Sequence, residues 1–197
     1  MGTKNWYRTD IKFDKSAISE FGQAKIKELK EEGIANGASL RNLYLPENPV
    51  FTDEWMSYIR SMGLEPMVAL MFYRTPHFQY PDAHIDGGRK RKIIMGLNWV
   101  EGEDDSKMIW YDMPRLEYKP DMETIIGHVF NYPYNPADLT ENEAATIGNS
   151  STLALVRTDI PHNIWMGANP RLSISVRFWD NYKNWDDAVE FYKDHII

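Results

Sequence analysis

The run Arg171-Leu172-Ser173-Ile174-Ser175-Val176-Arg177-Phe178 constrains the fold of this chain more than any other stretch. Strict alternation of polar and apolar residues is the period of a β-strand, whose successive side chains point to opposite faces. One face carries Leu172, Ile174, Val176 and Phe178 and belongs against a core. The other carries Arg171, Ser173, Ser175 and Arg177 and suits the wall of a polar pocket. A strand with two such faces needs partners. The apolar run 67–73, bounded by Pro66 and Pro76, reads as a buried strand, and more strands are expected at 92–100, 108–113, 127–131, 151–157 and 162–166. About eight short strands separated by turns predict a sandwich or jelly roll.

Helical signals flank this β-rich middle. Over residues 15–32, Ile18, Phe21, Ile26 and Leu29 fall near one face among Lys and Glu, with Gly33 as a stop. A shorter helix is expected to start at Thr52 or Asp53 and end at Gly63, with a short strand at 43–45 in the loop before it. Residues 184–192 read as a closing helix. The expected class is a β-rich α+β fold: mainly helical support over 1–65, a β core over 66–179 and a C-terminal helix within 180–197. With 197 residues the chain suits one domain, because a two-domain split would leave each half with a marginal core.

His84-Ile85-Asp86 and the distant Pro161-His162 supply candidate chemistry. Two histidines and a carboxylate on one face of a metal leave its other positions open, the arrangement of non-heme iron oxygenases. On a strand, His84 and Asp86 would face one ion while Ile85 points away. His162 follows the apolar run 153–156, so a neighbouring strand could deliver it to the same pocket. Gly87-Gly88 would end the strand after Asp86 and open room above the ion. Arg171 lies nine residues beyond His162, and its planar fork, with the Ser173 hydroxyl beside it, suits a carboxylate.

With these residues assembled, the chain resembles the iron(II)- and 2-oxoglutarate-dependent dioxygenases, and within them the compact hydroxylases similar to prolyl hydroxylases. The shared pattern is His-x-Asp, a long interval, His, and a basic residue in Arg-x-Ser, met here as His84, Asp86, His162, Arg171 and Ser173. The resemblance spans residues 66–179. It implies a double-stranded β-helix, Fe(II) held by His84, Asp86 and His162, and 2-oxoglutarate as co-substrate with its distal carboxylate on Arg171 and Ser173. Arg177, on the same face as Arg171, is the second candidate for that carboxylate. The segment 108–113 departs from the pattern, since many relatives have a Gly-rich strand there. A small molecule or a peptide side chain is the implied substrate. A non-enzymatic jelly-roll domain, structural or binding, is the alternative.

Further residues could join the pocket. Tyr73 or Tyr111 could add a hydroxyl, and Asn98 interrupts an apolar strand, so its amide needs a partner if buried. The segments 73–80 and 132–150 are candidate closing loops. His128 and His195 lack ligand spacing, His77 stands in an expected loop that could approach the site, and all three read as structural or exposed. Composition narrows the classes further. The chain has no cysteine, which rules out disulfides and thiolate chemistry and fits a reducing compartment. A net charge of -7 disfavours nucleic acid as a partner. Arg89-Lys90-Arg91-Lys92 is the one basic cluster and reads as a solvated hairpin turn, the alternative being a rim that attracts an anionic substrate or co-substrate. No apolar run of about eighteen residues or signal-like leader occurs, so a cytoplasmic protein is expected. Nothing in the sequence sets an oligomeric state.

Overall fold

The structure, a computed structural model, describes residues 4–12, 14–32, 39–43, 51–76, 83–88, 91–102, 105–112, 122–124, 127–129, 139–147, 152–179 and 182–197. Its frame is a sheet of six strands: β1 (Trp6–Lys12), β2 (Ser39–Leu43), β3 (Pro66–Arg74), β6 (Met95–Gly102), β11 (Thr152–Arg157) and β13 (Arg171–Phe178), in the order β1-β11-β6-β13-β3-β2. A smaller sheet has the order β10-β7-β12, formed by β7 (Lys107–Tyr111), β10 (Glu141–Ala145) and β12 (His162–Trp165). Two short hairpins complete the strands: β4 (Gly87–Gly88) with β5 (Arg91–Lys92), and β8 (Met122–Thr124) with β9 (Gly127–Val129). Among the described residues every strand pairing is antiparallel, and the chain is β-rich and jelly-roll-like.

Burial on β13 follows the alternation. All eight of its residues are buried. The apolar four join Ala69, Met71, Leu97, Trp99, Leu153 and Leu155 in the main core, on the outer face of the large sheet. Three helices cover that face: α1 (Lys15–Glu31), α2 (Asp53–Ser61) and α3 (Trp185–Tyr192). α2 contributes Trp55, Met56 and Ile59, and α3 contributes Trp185, Ala188 and Tyr192. Phe21 of α1 packs against the same cluster, and a Cβ on Gly22 would meet Leu172 Cδ2 at 2.2 Å, so a larger residue there would have to displace the end of that leucine side chain. The side chains of Ile18, Ile26 and Leu29 lie outside the described residues. Between the sheets a second cluster forms from Val100, Met108, Trp110, Ala154, Val156 and Ile164. Fully burying a side chain of this size stabilises by about 1.5–3 kcal/mol, so the outer core supplies much of the driving force.

The caps agree with the sequence. The Thr52 side chain accepts from Trp55 N at 3.2 Å, and α2 stops before Gly63, whose φ of +79° suits glycine. Asn184 caps α3 by accepting from Asp187 N. Other expectations are met unevenly. Residues 1–65 supply α1 and α2 and, besides this helical support, β1 and β2 at the two edges of the large sheet; the polar alternation of Trp6–Lys12 hid a strand. Of the short strand expected at 43–45, Leu43 belongs to β2, and residues 44 and 45 lie outside the described residues. The expected strand over 92–100 is broken into β5 and β6. The expected loop over 132–150 contains β10, which is polar because Glu141 and Asn142 are exposed at an edge and Glu143 accepts from Asn5 N.

Candidate metal centre

The two sheets bring the candidate ligands together through backbone pairing. His84 and His162 exchange two hydrogen bonds, N to O at 2.9 Å each way, forming an isolated antiparallel bridge. No strand runs through His84-Ile85-Asp86: Asp86 is pinned separately, donating its N–H to Thr158 O at 3.0 Å. Thr158 is itself fixed, with its N–H on Ile94 O and its hydroxyl on Ile93 O. Thus the dipeptide spacing works as expected, although a bridge and a bend replace the strand. Gly87 and Gly88 then enter the β4–β5 hairpin.

One donor atom from each of His84, Asp86 and His162 lies within 4.8 Å of the others. The imidazole centroids stand 4.4 Å apart, and His84 Nε2 is 3.8 Å from Asp86 Oδ1. Asp86 and His162 are buried, and His84 is partly so. His162 Nδ1 lies 2.9 Å from Ile160 O; as the donor, it leaves Nε2 as the ligand nitrogen.

Electrostatics prepares the three groups to bind a cation. Burial, followed by the nearby His162, pushes His84 down to about 3. Burial also lowers His162. Burial pulls the Asp86 carboxyl up, but Arg177, aided by both imidazoles, outweighs it and holds the group below the usual carboxylate range. At neutral pH the trio is therefore two neutral imidazoles and one carboxylate, the deprotonated set that metal binding requires.

Arg177 is the neighbour that sequence reasoning undervalued. Its Nη2 donates to Asp86 Oδ2 at 2.5 Å with both side chains 6% exposed, so the inner face of β13 delivers a guanidinium to the triad. A Cβ on Gly96 would stand 1.5 Å from Arg177 Nη1, so glycine at that point of β6 is what admits the side chain. A glycine inside an apolar strand is the one local sign of such a close approach, and it was not used in reading the sequence. Thr158 left no comparable signal.

The remaining candidates divide by face. Arg171 is buried and its Nη1 donates to Ser173 Oγ at 3.0 Å. Burial, and then Arg74, depress its guanidinium to about 9. Asn98 is opposite Ser175 in register, and its amide oxygen accepts the serine hydroxyl across the strands. Tyr73 does not share the inner face. It is opposite Leu172 and packs in the helix-covered core, because period-two alternation puts it back to back with Arg74. The hydroxyl expected from it is thus directed away from the triad. Tyr111 donates to Asn163 Oδ1 at 3.1 Å, a structural bond. His195 pairs with Asp10 at 2.9 Å on the surface. His77, the basic pair Arg89-Lys90, residues 77–80 of the first candidate loop and residues 132–138 and 148–150 of the second lie outside the described residues, as does the side chain of His128.

No protein-family model matches the chain, and no curated protein matches it in sequence. Among solved structures it is similar to a prolyl-4-hydroxylase of Pseudomonas putida, at 14% identity and a TM-score of 0.49, over 89% of this chain and 92% of that one. It is also similar to ycfD of E. coli, at 9% identity and a TM-score of 0.37, over 72% of this chain but 32% of that one. Likenesses this distant assign no activity, and the chemistry has to be argued from the residues themselves.

Proposed function

We propose that this chain is an iron(II)- and 2-oxoglutarate-dependent oxygenase on a double-stranded β-helix, hydroxylating a small molecule or a peptide side chain. The observation that carries the reading is the convergence of His84, Asp86 and His162 donors within 4.8 Å, beside a buried polar strand face ending in basic groups. The donor set fits ferrous iron: two imidazoles and a carboxylate are the ligands that leave open positions for co-substrate and oxygen. Once bound, the metal and 2-oxoglutarate would supply oxygen activation, the co-substrate leaving as succinate and carbon dioxide.

Each protein group has a defined task in this scheme. His84, Asp86 and His162 hold the cation, and the Ile160 carbonyl keeps the His162 ring oriented. Arg177 occupies Asp86 Oδ2, which leaves Oδ1, on the His84 side, as the ligand oxygen. That engagement takes Arg177 out of contention for the distal carboxylate and supports Arg171 with Ser173 in the role. Burial of the whole inner face of β13 excludes water, which strengthens each charge-assisted contact there. Aerobic incubation with iron(II) and 2-oxoglutarate should yield succinate from the wild type, and little or none from His84→Ala or Arg171→Ala. Equal succinate in all three counts against the reading.

A further inference from the structure

Away from β13 the inner face of the large sheet runs on to the β1 edge. Four residues stand in one line across it, each the register partner of the next: Ser175 on β13, Asn98 on β6, Ala154 on β11 and Arg8 on β1. Register partners project to the same side of a sheet, and Ala154 belongs to the cluster between the sheets, so all four face inward. Asn98 is 9% exposed and its oxygen accepts from Ser175, but its Nδ2 has no partner among the described residues. Arg8, at the exposed end of the line, makes no ion pair among the described residues. Its guanidinium carbon lies 5.8 Å from the ring centroid of Trp6, a contact that uses no N–H donor. A crevice of about 220 Å³, part of it open to solvent, is lined by both polar side chains and walled by Val100, Ile147 and Ala154. Among the described residues no acidic side chain lines it, although the chain carries a net charge of -7.

A buried amide N–H without an acceptor costs free energy, and a guanidinium at the mouth of an acid-free crevice attracts an anion. Both are met by one planar carboxylate, which accepts from the arginine fork and from the amide together. Arg8 and Asn98 are two strands apart, about 9.6 Å between their backbones, and reach over the methyl of Ala154 from opposite sides. The apolar walls suit an alkyl group and penalise a second charge, which disfavours a phosphate dianion. We infer that this crevice is a binding site for a small monocarboxylate, held by Arg8 at the mouth and by Asn98 Nδ2 at the inner end, with a short alkyl group against Val100 and Ile147. The site uses none of His84, Asp86 and His162 and does not rest on the oxygenase reading.

The test titrates the metal-free full chain with propionate and follows the Asn98 side-chain amide and the Arg8 Nε–H by nuclear magnetic resonance. Both signals should shift saturably, with half-saturation in the millimolar range, whereas propionamide, of the same shape without the charge, should leave them in place. Arg8→Ala should weaken propionate about fivefold, the scale of a solvent-flanked charge pair, and Arg8→Lys should recover part of the loss. Ala154→Val, which fills the crevice, should abolish the shifts while the rest of its spectrum stays that of the folded wild type. If that variant does not fold, the Arg8 pair decides. Shifts of full size and affinity in Arg8→Ala overturn the site, as do equal shifts with propionamide or none in the wild type. Binding lost in Arg171→Ala but kept in Arg8→Ala also overturns it, because the carboxylate would then sit at the far end of β13. None of these outcomes touches the oxygenase reading, which metal binding and succinate formation decide.

Discussion

The two faces of β13 are equally buried and chemically opposite. Leu172, Ile174, Val176 and Phe178 are 3% exposed or less and pack against the helix-covered core. Arg171, Ser173, Ser175 and Arg177 are 5% exposed or less and line the inner side. Transfer of the first set from water stabilises the fold, whereas transfer of the second costs free energy unless every polar group is matched. The same strand thus supports the structure with one face and spends stability on a site with the other. Such expenditure is understandable if the inner face serves ligands.

Breaking the inner face at its ion pair should have the largest effect. Arg177→Met leaves the Asp86 carboxylate buried without its guanidinium, and metal-free protein should lose about 3–5 kcal/mol in urea titrations. Manganese(II) should restore part of that loss and bind more tightly than to the wild type, because a positive neighbour has been removed. A cost below about 1 kcal/mol would mean that the pair is not desolvated. On the outer face, Ile174→Ala should cost about 2–5 kcal/mol with no change in metal affinity of the folded protein. A change in affinity there would show that the two faces are not independent.

The pH dependence is gentler. His84, near 6.5 when unfolded and about 3 when folded, and His162, shifted the same way, take up protons first in the unfolded chain. Stability of the metal-free protein is therefore whole above pH 6.5 and falls as pH drops toward 3, with a slope approaching about 1.4 kcal/mol per unit for each histidine. Denaturant midpoints at pH 7, 6, 5 and 4 measure it. A flat profile contradicts the burial of the imidazoles.

Much of this was legible in the sequence wherever periodicity and residue chemistry pointed the same way. The alternation of β13 fixed both of its faces, and the spacings of His84, Asp86 and His162 named residues that the fold brings together. β1 and β10 were missed because edge strands expose polar side chains and resemble loops. Tyr73 was assigned to the pocket by residue type, yet strand parity turns it to the core. The Arg177 contact with Asp86 and the role of Thr158 depend on where two distant segments cross, which no local pattern encodes. Arg74 was noticed only as part of a loop; its register with Arg171 required the sheet order.

Titration with manganese(II), followed by electron paramagnetic resonance, tests the metal centre most directly. The account predicts one ion per chain in the wild type, binding lost in His84→Ala and His162→Ala, and binding kept in His195→Ala, whose ring pairs with Asp10 at the surface. Saturable binding that survives removal of His162, or its absence from the wild type, would contradict it.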